Sequence, residues 1–564
     1  MKLTKTLKSL FFIIKKRDKY LIIFLIISSL VISLVDYLTL FFVAPLLGYN
    51  LPEEILSFSL INKFNILNDD ISLLLILIGS LIIIKNILNV LFYFATSIFV
   101  NFLSRNLIYE LTKYYKMLNI SEFLLQDKHS YFQKIFYECE QTIEGGLQQL
   151  IIGFKNLFII FIIFYFLIFS EILNVFYPSL ILILVCGILI YLLSYIAIKT
   201  GEKRLIFRGE LIKKFSDYLS IIFDIKFLKE KLYFENQIKK TTNKLAQAKN
   251  ASIAYIVLPK PLLEVFVSSS IILVSLYQVN NNLNFSEIFP TLILFLLALF
   301  RLGPTLMEIS RAYNVLMATS PSINLIYKEY IKLKKFNEKG GYTKSFDYLD
   351  SIKLKNVEIK YQNKTILKNI NLEILKNKSY GFYGESGSGK TSLVNIISNL
   401  LNINKGEYLV NGISMINENI DWNNKLMYIR QNPSIINASI SENIALGINP
   451  NEIDKQKVER LLKMVKLNTF LSKNISQINS NISDLNEKIS GGEKQRIAIA
   501  RALYFNPDIL ICDEITASLD DYNEQSIMEI IENLKGDKTI IFISHKIKLL
   551  EKFDHIYKVE NGEL

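Results

Sequence analysis

The chain of 564 residues is poor in cysteine, with three in the whole sequence. Cys139, Cys186 and Cys512 lie far apart and show none of the paired spacings that disulfide frameworks and zinc sites use. The cysteine content therefore argues against both kinds of site.

The first 19 residues lack a small-residue cleavage site before the next long apolar run, so we expect no cleaved secretory signal peptide. Basic residues are spread through an amphipathic stretch from Met1 to Lys19, which predicts a helix lying on the cytoplasmic membrane face. The net charge of +12 would also suit nucleic-acid binding, but these basic residues flank an apolar segment. Positive-inside membrane topology explains them more simply, and we expect no nucleic-acid partner.

Long apolar runs alternate with lysine-rich stretches up to about residue 330. A membrane span needs about 20 apolar residues. Six candidates result: Tyr20–Leu47, Ile71–Phe102, Leu147–Phe169, Val175–Ile198, Ile253–Val279 and Ile288–Val315. Between the first two, residues 51–70 hold a single basic residue, Lys63, which predicts an external segment.

Two long charged connections are predicted to lie on the inner side, one after Arg105 and one between Lys199 and Lys249. Each contains a short apolar patch, Ile120–Leu125 and Ile221–Leu228, which suits docking against another domain. Packing of these patches against neighbouring helices is an equal alternative. Residues 331–345 are lysine-rich, contain two adjacent glycines, and are predicted to form a linker.

A phosphate-loop motif, G-x-x-x-x-G-K-[ST], spans residues 384–391 between a strand-like Ser379–Tyr383 and a helix-like Ser392–Leu400. Its glycines let backbone N–H groups approach phosphate, and the helix N-terminus adds a favourable dipole. We expect Lys390 to reach the outer phosphates and Thr391 to bind Mg²⁺. Alone, the motif indicates only that the chain binds a nucleotide.

Two acids follow the buried-strand pattern Ile509–Cys512. Asp513 is suited to holding Mg²⁺, and Glu514 to polarising the attacking water. An ordinary strand-end carboxylate is the alternative for Glu514. His545 follows the apolar strand Thr539–Ile543 and is a candidate contact to the γ-phosphate.

Residues 489–496 read Ile-Ser-Gly-Gly-Glu-Lys-Gln-Arg and resemble the signature of ATP-binding cassette (ABC) proteins. The resemblance implies a dimer in which each ATP lies between the phosphate loop of one copy and the Ser490–Gly492 helix N-terminus of the other. Tyr361 matches the aromatic residue that stacks on adenine, although an ordinary strand tyrosine is the alternative. Gln431 matches the glutamine that senses Mg²⁺ and the membrane domain.

Six spans ahead of one ATPase resemble a half-transporter of the exporter kind. The implied fold is multidomain, with a six-helix transmembrane domain fused to an α/β P-loop nucleotide-binding domain. Predicted boundaries are 1–19 for an interfacial elbow helix, 20–330 for the transmembrane domain, 331–345 for the linker and 346–564 for the nucleotide-binding domain. The resemblance implies ATP and Mg²⁺ as cofactors, a second copy of the chain as partner, and a bacterial inner-membrane location with the nucleotide-binding domain and both termini cytoplasmic.

The predicted site has three groups of residues. The catalytic residues are Glu514, His545 and Gln431, and the Mg²⁺ ligands are Thr391, Gln431 and Asp513. The nucleotide-binding residues are Tyr361, Gly384, Glu385, Ser386, Gly387, Ser388, Gly389, Lys390, Thr391, Ser392, Ser490, Gly491, Gly492 and Asp520.

The sequence departs from the family pattern in several places. Ile489 and Glu493 stand where leucine and glutamine are usual, and residues 515–520 differ from Ala-Thr-Ser-Ala-Leu-Asp. Ser483–Glu487 is only loosely similar to the acidic stretch that exporters place before the signature. No departure removes a catalytic group, so we expect two equivalent active sites in each dimer.

Five cations lie in or near the apolar spans: Lys85, Lys155, Lys260, Arg301 and Arg311. A cation at the bilayer centre costs roughly 2.5–3.5 kcal/mol on insertion scales, so each must snorkel, pair or line a watery cavity. Lys260 can pair with Glu264 and Arg311 with Glu308, and Lys155 is expected to snorkel. Lys85 and Arg301 have no acid within one helical turn and are therefore predicted to line a cavity for an anionic cargo. Pairing with Asp36, Glu264 or Glu308 on another span is the alternative.

Residues 297–304 and 320–327, the external segment 51–70 and the chain length resemble PglK-type flippases of polyprenyl-diphosphate-linked oligosaccharides. The resemblance implies basic cavity residues at Lys85, Lys260 and Arg301, and membrane lipids and a lipid-linked glycan or other anionic lipid as partners. Residues 51–70 then form either an external amphipathic helix that meets the lipid tail or an inert loop.

ATP-driven flipping of a lipid-linked glycan is the preferred function, and two alternatives remain. One is flipping of a lipid A-type lipid, and the other is export of a peptide or drug. The first 19 residues lack the Cys and His of an N-terminal cysteine-protease domain, which would favour peptide export.

Overall fold

The chain forms two compact units in a computed structural model, one of Met1–Met117 with Leu124–Lys335 and one of Leu118–Phe123 with Phe336–Leu564. The structure describes residues 2–46, 71–118, 123, 127–169, 173–228, 232–280, 285–338, 344–346, 348–361, 364–416, 420–422, 424–467, 489–517 and 519–564. The predicted external segment 51–70, most of the patch Ile120–Leu125, and Ser483–Glu487 lie outside these residues.

The described residues of the first unit form helices joined by short breaks. Its helices are α1 (Lys2–Ile13), α2 (Lys16–Leu46), α3 (Ile71–Met117), α4 (from Lys128–Gln133 to Gln149–Phe169), α5 (Leu173–Ser220), α6 (Ile222–Phe227), α7 (Leu232–Val257), α8 (Pro259–Asn280) and α9 (Phe285–Glu338). Three stretches within the described residues are long and apolar enough to cross a membrane, namely Lys16–Thr39, Leu75–Lys116 and Lys128–Tyr165.

The helix boundaries differ from the predicted segments at three places. A break at Leu258 divides the predicted fifth span between α7 and α8, and Pro259 is the first residue of α8, a position where its missing N–H costs no hydrogen bond. The first long helix begins at Lys16, inside the segment assigned to the elbow. The last helix continues to Glu338, into the segment assigned to the linker.

Two π-helical turns, Lys134–Glu138 and Ile143–Gln148, lie within α4. In the second turn, the carbonyl of Gly145 accepts a hydrogen bond of 3.0 Å from the Thr319 hydroxyl on α9. A Cβ atom at Gly145 would lie 2.3 Å from Thr319 Cγ2, so glycine is what allows α4 and α9 to approach this closely.

The patch Ile221–Leu228 coincides with α6. Phe223 and Phe227 expose 74% and 89% of their surface, while Ile225 is buried. The buried Ile225 agrees with packing against neighbouring helices, whereas the exposed rings of Phe223 and Phe227 suit docking against another domain. Each of the two alternatives therefore describes part of the patch.

The second unit is an α/β domain built on a parallel sheet. Its strands are β1 (Lys344–Ser345), β2 (Ser351–Tyr361), β3 (Lys364–Leu375), β4 (Ser379–Tyr383), β5 (Lys405–Val410), β6 (Ile413–Ser414), β7 (Ile420–Asp421), β8 (Leu426–Ile429), β9 (Ile509–Asp513), β10 (Thr539–Ser544) and β11 (His555–Lys558). Its helices are α10 (Lys390–Ile397), α11 (Ile440–Ile444), α12 (Lys455–Met464), α13 (Gly491–Tyr504) and α14 (Asp521–Glu532).

The parallel sheet has the order β11-β4-β10-β9-β8, and an antiparallel sheet has the order β3-β2-β5-β6. Every residue of β9 and β10 is buried, as expected for continuous apolar runs in a sheet covered on both faces. Ligand sites in such sheets form at the carboxyl ends of the strands. A ligand site is therefore expected at the edge where the chain leaves β4, β8, β9 and β10.

Candidate functional site

The phosphate loop, residues 384–389, connects β4 to α10. Gly389 caps α10 with φ +110°, and a Cβ atom there would lie 2.7 Å from Leu367 Cδ2. Both the backbone conformation and the space therefore call for glycine. The Lys390 ammonium lies inside the loop, donating hydrogen bonds to the carbonyls of Gly384 at 2.9 Å and Glu385 at 2.7 Å.

The loop fits a nucleotide phosphate. The Ser388 hydroxyl is buried with no hydrogen-bond partner among the described residues, which leaves a donor for a ligand. Burial lowers the pKa of Lys390, although the carboxylates of Glu514 and Asp513 oppose that shift. A desolvated ammonium beside a free hydroxyl and the N-terminus of α10 is a site for an anion.

Asp513 ends β9 and Glu514 follows it, next to the chain leaving β10. Glu514 has a positive φ of 49°, an unusual conformation for a residue other than glycine that turns the chain sharply at this point. Its Oε1 lies 2.7 Å from His545 Nε2, and His545 Nδ1 lies 2.9 Å from the Gly384 carbonyl oxygen. His545 therefore bridges the carboxylate suited to general-base work and the phosphate loop.

The predicted Mg²⁺ ligands offer hydroxyl, amide and carboxylate oxygens, the donors that this ion prefers. Thr391 is in the first turn of α10, Gln431 follows β8, and Asp513 ends the neighbouring β9. Burial raises the pKa of Asp513, and the hydrogen bond from Tyr428 opposes that shift. The donor set fits the ion, and these residues would hold it against the phosphates.

Two contacts at this edge involve residues that the sequence analysis missed. The Tyr428 hydroxyl donates a hydrogen bond of 2.6 Å to Asp513 Oδ2, and the Gln495 amide donates to the Gln431 carbonyl. Tyr428 could have been found from its place three residues before Gln431, since β8 and β9 are parallel neighbours. Gln495 is part of the signature, and it joins the helix of that motif to the loop after β8.

The signature residues Ser490, Gly491 and Gly492 form the N-terminus of α13. Ser490 caps the helix, and Glu493 closes a capping box, its carboxylate accepting from the Ser490 N–H at 2.7 Å. The unusual Glu493 thus stabilises the helix start. Among the described residues no hydrogen bond joins Ser490–Gly492 to the phosphate loop, so these two predicted parts of the site are not brought together within one chain.

Asp520 is the N-cap of α14 and accepts a hydrogen bond of 2.6 Å from the Asn523 side chain. That bond holds the pKa of Asp520 below its usual range. Asn523 in turn accepts from Arg496 of α13 at 2.8 Å, which ties Asp520 to the signature helix. Tyr361 is the last residue of β2. Its side chain, which is predicted to stack on adenine, is outside the part of the chain that the structure describes.

In the helical unit, Lys85 and Arg301 do not stand free. Lys85 Nζ lies 2.6 Å and Arg301 Nη1 2.7 Å from the same oxygen, Asp36 Oδ1. Arg301 Nη2 also lies 3.4 Å from the Thr39 hydroxyl. The interhelical pairing with Asp36, given above as the alternative, is what the structure has, and we name Asp36, Lys85 and Arg301 the charge cluster.

The other membrane cations also differ from expectation. Lys155 does not snorkel: it is 4% exposed, donates to the Tyr93 hydroxyl at 3.2 Å and lies over the Tyr93 ring. Glu308 accepts hydrogen bonds from Tyr93 and from Asn156, in place of the expected ion pair with Arg311. Local spacing suggested partners within one helix, whereas the buried groups find partners across helices. Lys260 is exposed on α8.

Residues 367–517 match the family described as ABC transporter. Over 253 residues the chain is 33% identical to the ATP-dependent lipid A-core flippase of Pseudoalteromonas translucida (strain TAC 125), an alignment that covers 44% of this chain and 42% of that protein. The chain therefore spans less than half the length of this relative.

Two further similarities cover more of the chain. The ATP-dependent lipid A-core flippase 2 of Colwellia psychrerythraea (strain 34H / ATCC BAA-681) is 25% identical over 452 residues, which is 78% of this chain and 76% of that protein. A solved structure of a bacterial Atm1-family ABC exporter with ATP bound superposes with a TM-score of 0.74 at 17% identity, covering 97% of this chain and 94% of the other. Residues 367–517 thus match the ABC transporter family, and the whole chain has the fold of the solved ABC exporter, a helical transmembrane domain followed by an α/β nucleotide-binding domain.

Proposed function

We propose that the chain is an ATP-driven flippase for a lipid with an anionic, phosphate-bearing head group, acting as a homodimer in the bacterial inner membrane with its nucleotide-binding domain in the cytoplasm. The observation that carries this proposal is the charge cluster. It places two cations and one carboxylate between helices of a membrane domain, in a chain that also carries an ATP site.

The nucleotide-binding domain would drive the movement. ATP bound with Mg²⁺ supplies the free energy of phosphoanhydride hydrolysis. Lys390 and the unpartnered Ser388 hydroxyl are suited to bind its phosphates, and Glu514 is suited to take a proton from the attacking water. His545 orients Glu514 through their 2.7 Å contact. The Ser490 end of α13 would complete the site of a second copy.

The cations support an anionic cargo. The arginine fork carries five N–H donors that match phosphate geometry, and lysine adds a point charge. Lys85 and Arg301 keep side-chain exposures of 15% and 25%, so both remain within reach of a ligand. We include Lys260 in the proposed cavity because its side chain is exposed.

Two lipid classes share this head-group chemistry. A polyprenyl-diphosphate-linked oligosaccharide is the first candidate, on the resemblance of the membrane segments described above. A lipid A-type lipid is the second, because the relatives from Pseudoalteromonas translucida and Colwellia psychrerythraea are both named lipid A-core flippases.

The test is translocation in proteoliposomes. Fluorescent polyprenyl-diphosphate oligosaccharide and fluorescent lipid A are compared for the wild type and for Glu514→Gln, which keeps the shape of the side chain and removes the base. We expect ATP-dependent translocation of one of these lipids in the wild type and none in Glu514→Gln. Transport of both lipids at equal rates would mean that the protein does not recognise the head-group sugars.

A second pair of variants tests the cations. Lys85→Ala combined with Arg301→Ala should reduce translocation of the phosphate-bearing lipid. Lys213→Ala serves as control, since Lys213 on α5 forms an exposed ion pair with Asp127, the residue before α4. ATP hydrolysis by the wild type without movement of either lipid would contradict the proposed cargo and direct the search to other lipids and then peptides.

A further inference from the structure

The charge cluster holds more positive than negative charge. Asp36 on α2 is shared by Lys85 on α3 and Arg301 on α9, and both cations bind the same oxygen atom, Oδ1. One carboxylate therefore balances two cations, and the cluster keeps a net charge of about +1 with all three groups ionised.

The neighbouring polar cluster does not compensate this excess. Among the described residues it contains the carboxylate Glu308 and the cation Lys155, whose charge also acts on Asp36, and the charge of Arg311 acts on Tyr93 of the same cluster. Glu308 Oε2 already accepts hydrogen bonds from Asn156 at 2.7 Å and from Tyr93 at 3.1 Å. Its carboxylate is engaged and the cluster brings no excess of negative charge, so Lys85 and Arg301 stay incompletely neutralised.

The exposures within the cluster are graded. The Asp36 side chain is 8% exposed, Lys85 15% and Arg301 25%. The carboxylate is the most deeply placed member, and the guanidinium is the most accessible. An anion arriving at the cluster would therefore meet the cations first, with unused guanidinium N–H groups available to it.

We propose that Asp36 is an internal counter-ion that occupies the anion site formed by Lys85 and Arg301, and that the phosphate of the lipid head group displaces it. The inference rests on the proposed function and adds a regulatory element to it. Without cargo, Asp36 neutralises part of the charge that would be costly in a membrane. When cargo binds, its phosphate pairs with both cations in place of the Asp36 carboxylate.

A counter-ion of this kind has a measurable signature. Because cargo must displace Asp36, removing the carboxylate should tighten phosphate binding, whereas removal of a purely structural acid should weaken it or leave it unchanged. Close charge pairs in binding sites have coupling energies large enough to change affinity about tenfold or more. The half-saturating concentration should therefore fall about tenfold or more in Asp36→Asn.

The experiment measures thermal unfolding of the purified full chain in lipid nanodiscs as farnesyl diphosphate is added. Farnesol serves as the probe without phosphate, and inorganic pyrophosphate as the phosphate without a lipid chain. Glu308→Gln is the matched control, because it removes a membrane carboxylate that does not touch Lys85 or Arg301 in the structure. We expect tighter binding of farnesyl diphosphate in Asp36→Asn and not in Glu308→Gln.

Asp36→Asn leaves two cations without a partner, so the protein can lose stability outright. The double variant Asp36→Asn with Lys85→Gln keeps the same net charge as the wild type, and it is compared with Lys85→Gln alone, which lacks the same cation but keeps the carboxylate. We expect the double variant to bind farnesyl diphosphate more tightly than Lys85→Gln, since the two differ only in the competing carboxylate. Equal or weaker binding in the double variant would overturn the counter-ion role.

The remaining outcomes separate the inference from the function beneath it. Wild-type binding that Asp36→Asn does not tighten overturns the counter-ion and leaves the anionic cargo standing. No binding of any phosphate probe by the wild type overturns both. Pyrophosphate binding as tight as that of farnesyl diphosphate supports displacement and shows that the cluster reads the phosphate without the lipid chain.

Discussion

Replacing Tyr428 by phenylalanine should impair ATP hydrolysis while leaving the fold intact. The Tyr428 hydroxyl donates to Asp513 Oδ2 at 2.6 Å, a short bond to a carboxylate expected to hold Mg²⁺. Burial raises the pKa of Tyr428 well above its usual range, so the hydroxyl stays protonated and acts as a donor. Its role is to aim the carboxylate, as the outer hydrogen bonds of metal sites do.

The magnitude follows from the chemistry of this bond. A hydrogen bond to a charged group contributes about 1.5–3 kcal/mol, and outer partners of metal ligands change metal affinity or activity about 10–100-fold. We therefore expect kcat/KM for ATP hydrolysis to fall about 10–100-fold in Tyr428→Phe. The Mg²⁺ concentration that gives half-maximal hydrolysis should rise at the same time, because Asp513, a predicted Mg²⁺ ligand, loses the hydrogen bond that orients its carboxylate.

Tyr408→Phe is the matched control. Tyr408 is fully buried in the same domain, and its hydroxyl donates to the Ile397 carbonyl at 2.9 Å, so the same atom is removed from a site without catalytic residues. The assay is steady-state hydrolysis over a Mg²⁺ titration, with thermal unfolding of both variants. Equal Mg²⁺ dependence in the two variants would refute the assignment of Tyr428 to Asp513.

Two stability predictions concern the helical unit. Gly201→Ala should lower the unfolding temperature, because a Cβ atom would lie 1.9 Å from the Ala318 carbonyl oxygen, a backbone atom that cannot move aside, and overpacking costs about 1–3 kcal/mol. Gly187→Ala, with nothing within 4 Å of its Cβ, should instead stabilise the helix by about 0.5–1 kcal/mol. Lys134→Met should destabilise by up to about 3–5 kcal/mol, since the buried Glu329 loses its 3.1 Å partner and keeps only Lys332 at 3.7 Å. Replacing both partners by methionine should cost less than replacing Lys134 alone, and thermal unfolding in detergent measures all four variants.

The elements that form the candidate nucleotide site could be predicted from sequence because they are local. The phosphate loop needs a strand, a turn and a helix within about 20 residues, and β4, residues 384–389 and α10 supply them in that order. The buried runs Ile509–Asp513 and Thr539–Ser544 are strands, and parallel pairing places the residues after them at one edge. Ligand sites in parallel sheets form at the carboxyl ends of the strands, and this rule predicts that Asp513, Glu514 and His545 lie at the same edge of the sheet.

Contacts between neighbouring strands were harder to foresee. Tyr428 and Asp513 are 85 positions apart in sequence, and only the register of β8 on β9 brings them within hydrogen-bond distance. The hydrogen bond from Gln495 of α13 to the Gln431 carbonyl likewise joins residues that are far apart in sequence. Each residue lies beside a recognised motif, but the side-chain contact is a property of the folded sheet and helix together.

The membrane charges show where spacing along one helix stops being informative. Pairs three or four residues apart are attractive on a solvated helix surface, where they contribute only a few tenths of a kcal/mol. Inside a membrane, a charge without a partner costs several times more, so partners across helices outweigh the local ones. Glu308 accordingly binds Tyr93 and Asn156, and Arg301 binds Asp36, 265 positions away.

The same reasoning explains why the cation pair and its carboxylate are best understood together. Under the proposed function, two cations alone between membrane helices would be costly in the absence of cargo, and a fully neutralised pair would have no charge left to attract a phosphate. A single carboxylate oxygen shared by Lys85 and Arg301 satisfies both conditions, since it lowers the cost of the charges and leaves an excess of one. A site that binds and releases an anion, as we propose for this cluster, needs a counter-ion of this intermediate strength, and the contacts of Asp36 with both cations suit that role.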